Sequence, residues 1–394
     1  MKTWLIRLGK AWSLLKRDGF WYGLKRVFSM AGVLFQPIGT GEILLISGGA
    51  GDSARYRTRH VAEELRLHGF RTAATIQDHS GLLAAVERFQ IFVFHRTLLT
   101  PELKLVIDRV KELKRTLIFE TDDLVYDPEF LQHMDYYQQM NVLERKLYEH
   151  GVGGEILSDP YVEVATTTTS FLAEKLREKG KRVFIVPNKL SQEDVEWARQ
   201  ALDEKKKDQD VRQKIRIGYL SGTPSHNKDF ATITGALLRV LDQYPQVELV
   251  LAGPLDTDDA LQQYADRVVR LPFVARSELF GNIASLDINL APLEIGNPFC
   301  ESKSELKWFE AGIVEVPTVA AATRTFREAI TDGVDGFIAT TEEEWYDRVQ
   351  RLIESRVLRE TLGKKARESV LSRYTTLHAK NETYDNFIRS HLLS

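Results

Sequence analysis

Short runs of Val, Ile and Leu alternate with longer amphipathic segments from Glu42 onward. This alternation is typical of βα units, in which buried parallel strands are joined by helices that cover both faces of a sheet. In the first half of the chain the pattern predicts strands at 43–46, 72–76, 91–94, 116–119, 164–167 and 183–186. In the second half it predicts strands at 215–219, 247–252, 268–271, 288–291 and 318–320. We therefore expect the α/β class, with two doubly wound parallel-sheet domains in tandem.

A charged stretch separates the two series of strands. Residues 192–214 contain few large apolar side chains, so we expect a solvated helix followed by a linker. The predicted domains are 42–200 and 215–375, with the linker at 201–214. A C-terminal helix is predicted at 376–394, and its return to the first domain is left open.

Composition limits the partners and the compartment. The chain has 394 residues, more than the roughly 250–300 at which a single core stops growing. Its 53 Lys and Arg are balanced by 56 Asp and Glu, so no overall field attracts a polyanion and nucleic acid is not an expected partner. Cys300 is the single cysteine, which excludes an intramolecular disulfide and fits a reducing cytoplasm.

The N-terminal segment 1–41 departs from this balance. Basic residues far outnumber acidic ones in its first 33 positions, where Asp18 stands alone among several Trp, Lys and Arg side chains. Apolar side chains recur there at helical spacing, at Leu5, Leu8, Trp12 and Leu15. A basic amphipathic helix that carries Trp is typical of a segment lying in a membrane interface. We predict that residues 1–35 bind the inner face of the cell membrane, which makes the protein cytoplasmic and peripheral; the alternative is a helical hairpin packed on the domain surface.

In open parallel sheets, ligands bind beyond the carboxyl ends of the strands. In the first domain this rule points to the glycine loop 48–51, to the helix that follows it, and to the ends of two further strands. The loop is no dinucleotide fingerprint because Ala54 takes the place of the third glycine, and a tight βα turn is the alternative to ligand contact. The candidate ligand-binding residues at these places are Gly49, Gly51, Arg55, Arg57, His95, Arg96, Glu120, Asp122 and Asp123.

Asp122 and Asp123 follow an apolar strand directly. Carboxylates in this position orient an acceptor hydroxyl, act as a base or coordinate a metal ion. We favour acceptor binding, and a plain helix N-cap at Asp122 is the structural alternative.

The second domain opens with a strand and the polar loop Ser221-Gly-Thr-Pro-Ser-His-Asn-Lys228. The loop lacks Gly-Lys-Ser/Thr, so it is not a Walker loop. A lysine at a helix start opposes the helix dipole unless an anion lies between them. Lys228 is therefore a candidate anion ligand, with a solvated surface charge as the alternative.

The stretch 297–312 is rich in charge close to a predicted helix start. Ser302 and Glu305 have the spacing of a capping box, which predicts a helix that begins near Lys303 with free amides in its first turn. Lys303, Lys307 and Glu310 would then share one helical face. Two cations and free amides suit a diphosphate, and a deeper carboxylate suits paired hydroxyls. The alternative is an intrahelical Lys–Glu ion pair on a solvated face.

The sequence Phe309-Glu-Ala-Gly-Ile-Val-Glu-Val-Pro-Thr-Val-Ala resembles the second half of the Glu-x7-Glu motif and the following strand of retaining GT-B glycosyltransferases. These are the family-four type, or glycosyl transferases group 1. Further similar motifs are Val186-Pro-Asn-Lys, Leu251-Ala-Gly-Pro, Asp287-Ile-Asn-Leu-Ala-Pro and Asp332-Gly-Val-Asp-Gly-Phe. The resemblance covers roughly residues 42–375 and implies a GT-B fold, with two Rossmann-like domains facing a cleft. Within the family, the chain resembles enzymes of bacterial surface polysaccharide assembly.

The resemblance implies that Glu310 holds the donor ribose and that Lys228 binds the donor diphosphate. Ser302 replaces the first glutamate of the motif, and Glu301 is one residue out of register. Tyr219 replaces a phosphate-binding arginine, which leaves Lys303 or Lys307 as substitutes. The predicted donor site consists of Ser221, Gly222, Thr223, Lys228, Glu301, Ser302, Lys303, Ser304, Lys307 and Glu310.

Together these features predict a retaining glycosyltransferase of cell-surface polysaccharide biosynthesis. Its donor is a nucleotide-diphosphate sugar, and its acceptor is a glycan or lipid-linked glycan that we expect the candidate ligand-binding residues of the first domain to bind. The predicted catalytic residues are Lys228, Glu310, Asp122 and Asp123. We expect no cofactor and no essential metal, because basic residues and helix amides neutralise the leaving diphosphate. The alternatives are a non-hydrolysing sugar-nucleotide epimerase and, because Ser302 stands in the motif, a catalytically silent membrane-associated assembly subunit.

Overall fold

The computed structural model describes residues 36–49, 51–134, 137, 140, 145, 148–208, 214–221, 227–253, 255, 259–272 and 274–392. The membrane prediction for residues 1–35, and Gly222 and Thr223 of the predicted donor site, lie outside these residues. Two compact units are present. The first contains the described residues of 1–132, 137–189 and 380–394, and the second contains those of 133–136 and 190–379.

The first unit is built on a six-stranded sheet with the order β2-β1-β3-β4-β5-β6. Its strands are β1 Ile43–Ser47, β2 Thr72–Ile76, β3 Ile91–His95, β4 Thr116–Thr121, β5 Val164–Thr167 and β6 Arg182–Ile185. All neighbouring pairs are parallel. The register places Ser47, His95 and Glu120 side by side at the carboxyl end of the sheet.

The second unit has a six-stranded parallel sheet with the order β12-β11-β10-β7-β8-β9. Its strands are β7 Ile215–Leu220, β8 Val247–Ala252, β9 Val268–Leu271, β10 Ile288–Ala291, β11 Thr318–Ala321 and β12 Phe337–Ala339. The predicted class of two doubly wound domains is thus confirmed. The short strand β12 was not among the predicted strands.

Helices cover both faces of each sheet, as burial of nearly continuous apolar strands requires. In chain order they are α1 Asp52–Ala54, α2 Val61–Leu67, α3 Leu82–Ala85, α4 Pro101–Glu112, α5 Gly154–Leu157, α6 Ser170–Glu178, α7 Gln192–Asp208, α8 Asn227–Ala231, α9 Thr234–Gln243, α10 Arg276–Ala284, α11 Pro298–Ser302, α12 Leu306–Gly312, α13 Arg324–Ala329, α14 Glu342–Glu354, α15 Arg356–Arg373 and α16 Glu382–Leu392. A π-helical turn, Arg55–His60, joins α1 to α2. Short 3-10 helices are Val86–Arg88, Leu124–Tyr126, Pro128–His133 and Asp259–Arg267.

The structure shows where two of the predicted helices, α7 and α16, pack. The helix α7 was expected to be solvated, but Ala198, Ala201 and Leu202 are buried and the helix packs against α10 within the second unit. The last helix, α16, inserts Phe387 and Ile388 into the core of the first unit. No helix in the described part of the chain is both long enough and apolar enough to cross a membrane.

Candidate functional site

Each sheet has one place where the chain leaves a central strand in one direction and returns to its other side. In the first unit this switch point lies between β1 and β3, and in the second it lies between β7 and β10. Helices leave the two sides of a switch point toward opposite faces, so a crevice opens beyond the carboxyl ends of the strands. The residues around these two places are therefore the candidate sites.

At the first switch point, His95 links three neighbouring elements. Its Nε2 lies 3.1 Å from Asp122 Oδ1 and 3.2 Å from Ser53 Oγ, and its Nδ1 lies 3.4 Å from Ser47 Oγ. The Ser53 hydroxyl donates to Asp122 Oδ2 at 2.8 Å. The glycine loop, β3 and the end of β4 are thus connected by one polar cluster. Ser53 belongs to this cluster and was not among the predicted site residues.

Arg96 completes the cluster from the other side. It has a positive φ of 45°, a conformation uncommon outside glycine, and its guanidinium lies 2.5 Å from Asp122 and 3.3 Å from Asp123. Burial acts to raise the pKa of Asp122, but Arg96 and the hydrogen bond to His95 outweigh it and hold that pKa well below its usual range. A carboxylate that is so weakly basic is a poor general base. Binding of an acceptor hydroxyl therefore suits Asp122 better than proton abstraction.

The helix-cap alternative applies to the neighbouring residue. Asp123 Oδ1 accepts a hydrogen bond from the Leu124 amide at 2.8 Å and so caps the short helix that follows β4. Asp122 is not the N-cap. Of the two adjacent carboxylates, Asp123 therefore has a structural task and Asp122 is the centre of the polar cluster.

Two predicted acceptor ligands are instead partners in the interior of the first unit. Arg57 donates from Nε to both oxygens of Glu120, at 3.1 and 3.2 Å, and from NH1 to Val186 O and Asn188 Oδ1. Both side chains of the ion pair are essentially inaccessible to solvent. Burial raises the pKa of Glu120, and the Arg57 charge opposes this shift. Arg57 and Glu120, which were predicted to bind an acceptor, therefore form a buried ion pair with each other.

The glycine loop has both tight and open positions. A Cβ on Gly48 would lie 1.8 Å from the carbonyl oxygen of Arg96, so only glycine fits there, whereas a Cβ on Gly49 or Gly51 would meet no atom of the described residues within 4 Å. Arg55 is partly exposed and lies 3.8 Å from Asp52. The open side of the loop, with Arg55 beside it, is thus accessible to a ligand.

At the second switch point, the predicted capping box is absent. Ser302 ends α11 and its hydroxyl donates to Phe299 O, so it does not cap a helix. Lys303 is extended, and α12 begins only at Leu306. The prediction failed because two short helices replace one longer helix. Lys303 therefore does not share a helical face with Lys307 and Glu310.

Glu301 and Ser302, both predicted donor ligands, brace the surrounding loops. The Glu301 carboxylate accepts hydrogen bonds from the amide of Gly296 at 3.1 Å and from the amide of Arg324 at 2.9 Å. The Ser302 side chain is fully buried. Lys303 and Ser304, next to them, are partly exposed. Ser221, at the end of β7, is buried and donates its amide to Ala252 O.

Lys307 ties α12 to both strands of the second switch point. Its ammonium donates to Leu220 O at the end of β7, and its own carbonyl accepts from the side chain of Asn289 in β10 at 3.2 Å. The ammonium also lies 4.8 Å from the centre of the Tyr219 ring. Burial lowers the pKa of Lys307, while Glu310 and Asp229 favour the charged form. A cation is thus held at the crevice that the topology creates.

Glu310 lies one helical turn further along α12 and is buried. Its Oε1 accepts a hydrogen bond from Arg276 NH1. The Arg276 Nε donates to Asp194 Oδ1 at 3.0 Å, so the guanidinium lies between two carboxylates. Sequence analysis predicted Glu310 alone. Neither Arg276 nor Asp194 belongs to a recognisable motif, although Ser191-Gln-Glu-Asp194 has capping-box spacing that marks the start of α7.

Lys228 is the second residue of the short helix α8, as predicted from the loop that precedes it. The adjacent Asp229 is buried and accepts hydrogen bonds from the Glu294 amide at 3.1 Å and from the Cys300 thiol at 3.2 Å. Among the described residues, Asp229, Glu294 and Cys300 bring potential metal-binding atoms within 4.8 Å of one another. Burial raises the pKa of the Cys300 thiol, which favours its protonated, weakly ligating form. These contacts fit a braced loop.

Comparison with known proteins gives a family match within the second unit. Residues 214–355 match the family model described as Glycosyl transferases group 1. No curated protein matches the chain at a significant level.

Solved structures are similar over almost the whole chain. HepE from Anabaena in complex with UDP-glucose is 15% identical, with 90% of this chain and 99% of that chain covered and a TM-score of 0.58. A sucrose-phosphate synthase from Thermosynechococcus elongatus is 14% identical, with 90% and 100% covered and a TM-score of 0.58. A glycosyltransferase from Rickettsia africae is 11% identical, with 90% and 99% covered and a TM-score of 0.59. At these identities the similarity concerns the fold.

The fold is therefore GT-B, with two Rossmann-like domains of six parallel strands each. Residues 214–355 of the second domain match glycosyl transferases group 1, and this match supports glycosyltransferase activity. The predicted fold, family and enzyme class are confirmed.

Proposed function

We propose that this protein is a retaining glycosyltransferase that moves a sugar from a nucleotide-diphosphate donor to a glycan or lipid-linked glycan in cell-surface polysaccharide biosynthesis. The observation that carries the proposal is the position of α12. Lys307 fastens this helix to both strands of the β7/β10 switch point, and Glu310 follows one turn later. A cation for a diphosphate and a carboxylate for ribose hydroxyls thus occur on one helix at the crevice where nucleotides bind in such sheets.

A uridine nucleotide is the donor to test first. HepE, whose fold is similar, has been solved with UDP and with UDP-glucose. In our proposal Glu310 accepts hydrogen bonds from the ribose, while Lys228, Lys303 and Lys307 stabilise the charge that develops on the leaving diphosphate. Ser304 and the amides around it complete the donor site.

The acceptor is assigned to the polar cluster of the first unit. Asp122 stays ionised, is partly exposed and is flanked by the partly exposed Arg96. A sugar hydroxyl can donate a hydrogen bond to Asp122 and accept one from Arg96. The accessible side of the glycine loop, with Gly49, Gly51 and Arg55, supplies further contacts.

No metal takes part in this proposal, because three lysines supply the positive charge. The expected result is that EDTA leaves transfer unchanged. Loss of transfer on EDTA treatment and its recovery with a divalent ion would contradict this part of the proposal and would direct attention to Asp229, Glu294 and Cys300.

Residues 1–35 are proposed to bind the inner face of the cell membrane. Each basic residue near an anionic leaflet contributes about 1 kcal/mol, which salt screens, whereas inserted Trp and Leu side chains contribute a part that salt does not screen. Co-sedimentation with anionic liposomes should weaken with salt and not vanish. A chain without these residues should stay in the supernatant. Equal sedimentation of both chains would contradict the proposal.

The decisive experiment is a screen of nucleotide sugars with the full-length protein, followed by mass spectrometry and by NMR of the anomeric proton. Transfer with retained anomeric configuration is the expected result. Interconversion of the sugar without nucleotide release would indicate the epimerase, and donor binding without turnover would indicate the silent subunit. Inverted configuration would contradict the retaining mechanism.

The variant Lys228→Ala tests the proposed catalytic role of Lys228. We expect it to lower the turnover number at saturating donor about ten- to a hundredfold, because the lysine acts on charge present mainly in the transition state. Lys365→Ala is the matched control, since Lys365 pairs with Glu368 on an exposed face of the same unit. Equal turnover of wild type and Lys228→Ala would exclude Lys228 from catalysis.

A further inference from the structure

The ion cluster around Arg276 lies outside the motifs that carry the proposed function. The cluster joins three helices, with Asp194 in the first turn of α7, Arg276 at the start of α10 and Glu310 in α12. The side chains of Asp194, Arg276 and Glu310 are 1%, 8% and 9% exposed. The cluster is therefore part of the interior of the second unit.

This position is costly for an arginine. The start of a helix carries partial positive charge, so a cation there is unfavourable without compensation. Burial of a charge adds a further cost unless an opposite charge and hydrogen bonds accompany it. In this case the carboxylates of Asp194 and Glu310 both accompany Arg276.

Asp194 is itself fixed on both sides. The Ser191 amide lies 3.3 Å from Asp194 Oδ2, and the Asp194 amide donates to Ser191 Oγ at 3.1 Å. The guanidinium contacts the same carboxylate twice, at 3.0 Å from Nε and 3.3 Å from NH2. Arg276 is therefore anchored to the start of α7 through one edge of its planar group, while NH1 points to Glu310. A lysine could not make these contacts at the same time.

We propose that Arg276 is a positioning residue for the donor site. It holds the Glu310 carboxylate in a single orientation, so that the ribose hydroxyls meet a hydrogen-bond acceptor that is already in place. Asp194 sets the orientation of the guanidinium. The inference rests on the proposed function, in which Glu310 binds the ribose, and it adds two residues that do not themselves touch the nucleotide.

The test uses the full-length protein with UDP and 2′-deoxy-UDP as probes in titration calorimetry. For Arg276→Gln we expect an affinity for UDP that is at least about tenfold lower, because the Glu310 carboxylate loses its orientation. The affinity for 2′-deoxy-UDP should fall less, so that the preference for the ribonucleotide shrinks. Arg276→Lys, which keeps the charge and loses the fork, and Asp194→Asn should shift this preference in the same direction.

The double variant Arg276→Gln/Glu310→Gln shows whether Arg276 affects UDP binding through Glu310. If Arg276 acts through Glu310, the double variant binds UDP no more weakly than Glu310→Gln alone. Additive losses would show that Arg276 acts independently and would overturn the inference. Arg239→Gln is the matched control, because Arg239 forms an exposed ion pair with Glu343 in the same unit, and we expect unchanged binding.

The outcomes separate the inference from the function on which it rests. No UDP binding by the wild type, or unchanged UDP affinity of Glu310→Gln, would contradict the uridine donor or the ribose assignment, and the inference with it. A loss in Glu310→Gln without any change in preference in the Arg276 and Asp194 variants would overturn the inference alone. If Arg276→Gln does not fold, Arg276→Lys and Asp194→Asn decide the question.

Discussion

Each unit holds an arginine between two carboxylates, but the two clusters are built in different ways. Arg96 in the first unit is 26% exposed, whereas Arg276 in the second unit is 8% exposed. Arg96 extends from a strand end, and Arg276 begins a helix. The comparison teaches which kind of site the sequence reveals and which kind of ligand each site suits.

The two carboxylate partners of Arg96, Asp122 and Asp123, are adjacent to each other in the chain. Asp122 and Asp123 follow β4 directly, and the register of the sheet brings the end of β4 beside the end of β3. The cluster is partly open to water, since Arg96 is 26% exposed. Its ion pairs can be exchanged for hydrogen bonds with a ligand at moderate cost, because water already competes for them. This property suits the binding of an acceptor with many hydroxyls.

The partners of Arg276 come from distant parts of the chain. Asp194 is 82 residues away and Glu310 is 34 residues away, each on a different helix. The cluster is buried, so its geometry is fixed by packing rather than by exchange with solvent. A buried carboxylate of fixed orientation suits recognition of one invariant group, as a ribose is.

The largest effect that tests this contrast is on stability. Arg276→Gln should lower the free energy of unfolding by about 3–5 kcal/mol, because it leaves two buried carboxylates without a cation. Arg96→Gln should cost clearly less, about 1–2 kcal/mol, since its carboxylates gain water in exchange. Urea denaturation at neutral pH measures both. Equal losses of stability would contradict the contrast between a buried and a partly exposed cluster.

The next prediction distinguishes the proposed functions of Glu310 and Asp122. Glu310→Ala should weaken binding of the nucleoside diphosphate by about one to two decades, the range for hydrogen bonds to a charged group. Asp122→Asn should leave this affinity unchanged and reduce transfer to the acceptor. Calorimetry with the nucleotide and a transfer assay separate the two. A loss of nucleotide affinity in Asp122→Asn would place that residue in the donor site instead.

A pH dependence sharpens the account of the first cluster. The pKa of Asp122 is lowered in the folded protein, so its ion pair stabilises the fold fully above the unfolded pKa of about 3.9. This contribution is lost as the pH falls through the lower, folded pKa. Asp122→Asn should therefore be less stable than wild type at pH 7, and the difference should shrink in strong acid.

The control for this pH dependence is Asp108→Asn. Asp108 pairs with Lys104 on an exposed face of α4, and its removal should change stability by less than about 0.5 kcal/mol at every pH. Denaturant titrations at neutral pH and in acid give the comparison. A difference for Asp122→Asn that stays constant with pH would contradict the shifted pKa.

The contrast explains what the sequence could predict. Strands appear as apolar runs, so eleven strands and the loops at their ends were predictable, and with them Asp122, Arg96 and Lys228. The strand β12, which is three residues long, was not predicted. The class of the fold followed because alternating strands and helices admit few arrangements.

Side-chain partners were not predictable in the same way. Arg57 was assigned to the acceptor because it follows the glycine loop, yet the π-helical turn Arg55–His60 directs it inward to Glu120. The spacing of Ser302 and Glu305 fits a capping box, yet the chain forms two short helices there. Local patterns report local structure, and these outcomes depend on packing between elements that are distant in sequence.

Arg55 gives the smallest predicted effect and the sharpest contrast within one helical turn. Its contact with Asp52 is 3.8 Å long and exposed, so Arg55→Gln should change the free energy of unfolding by less than about 0.5 kcal/mol. Nucleotide affinity should stay the same, whereas the KM for the acceptor should rise if Arg55 borders the acceptor site. Arg57→Gln, two residues further, should unfold at much lower urea concentration because it leaves Glu120 buried and unpaired. Unfolding curves and initial rates with varied acceptor measure both variants, and a large loss of stability in Arg55→Gln would show that Arg55 is a structural residue like Arg57.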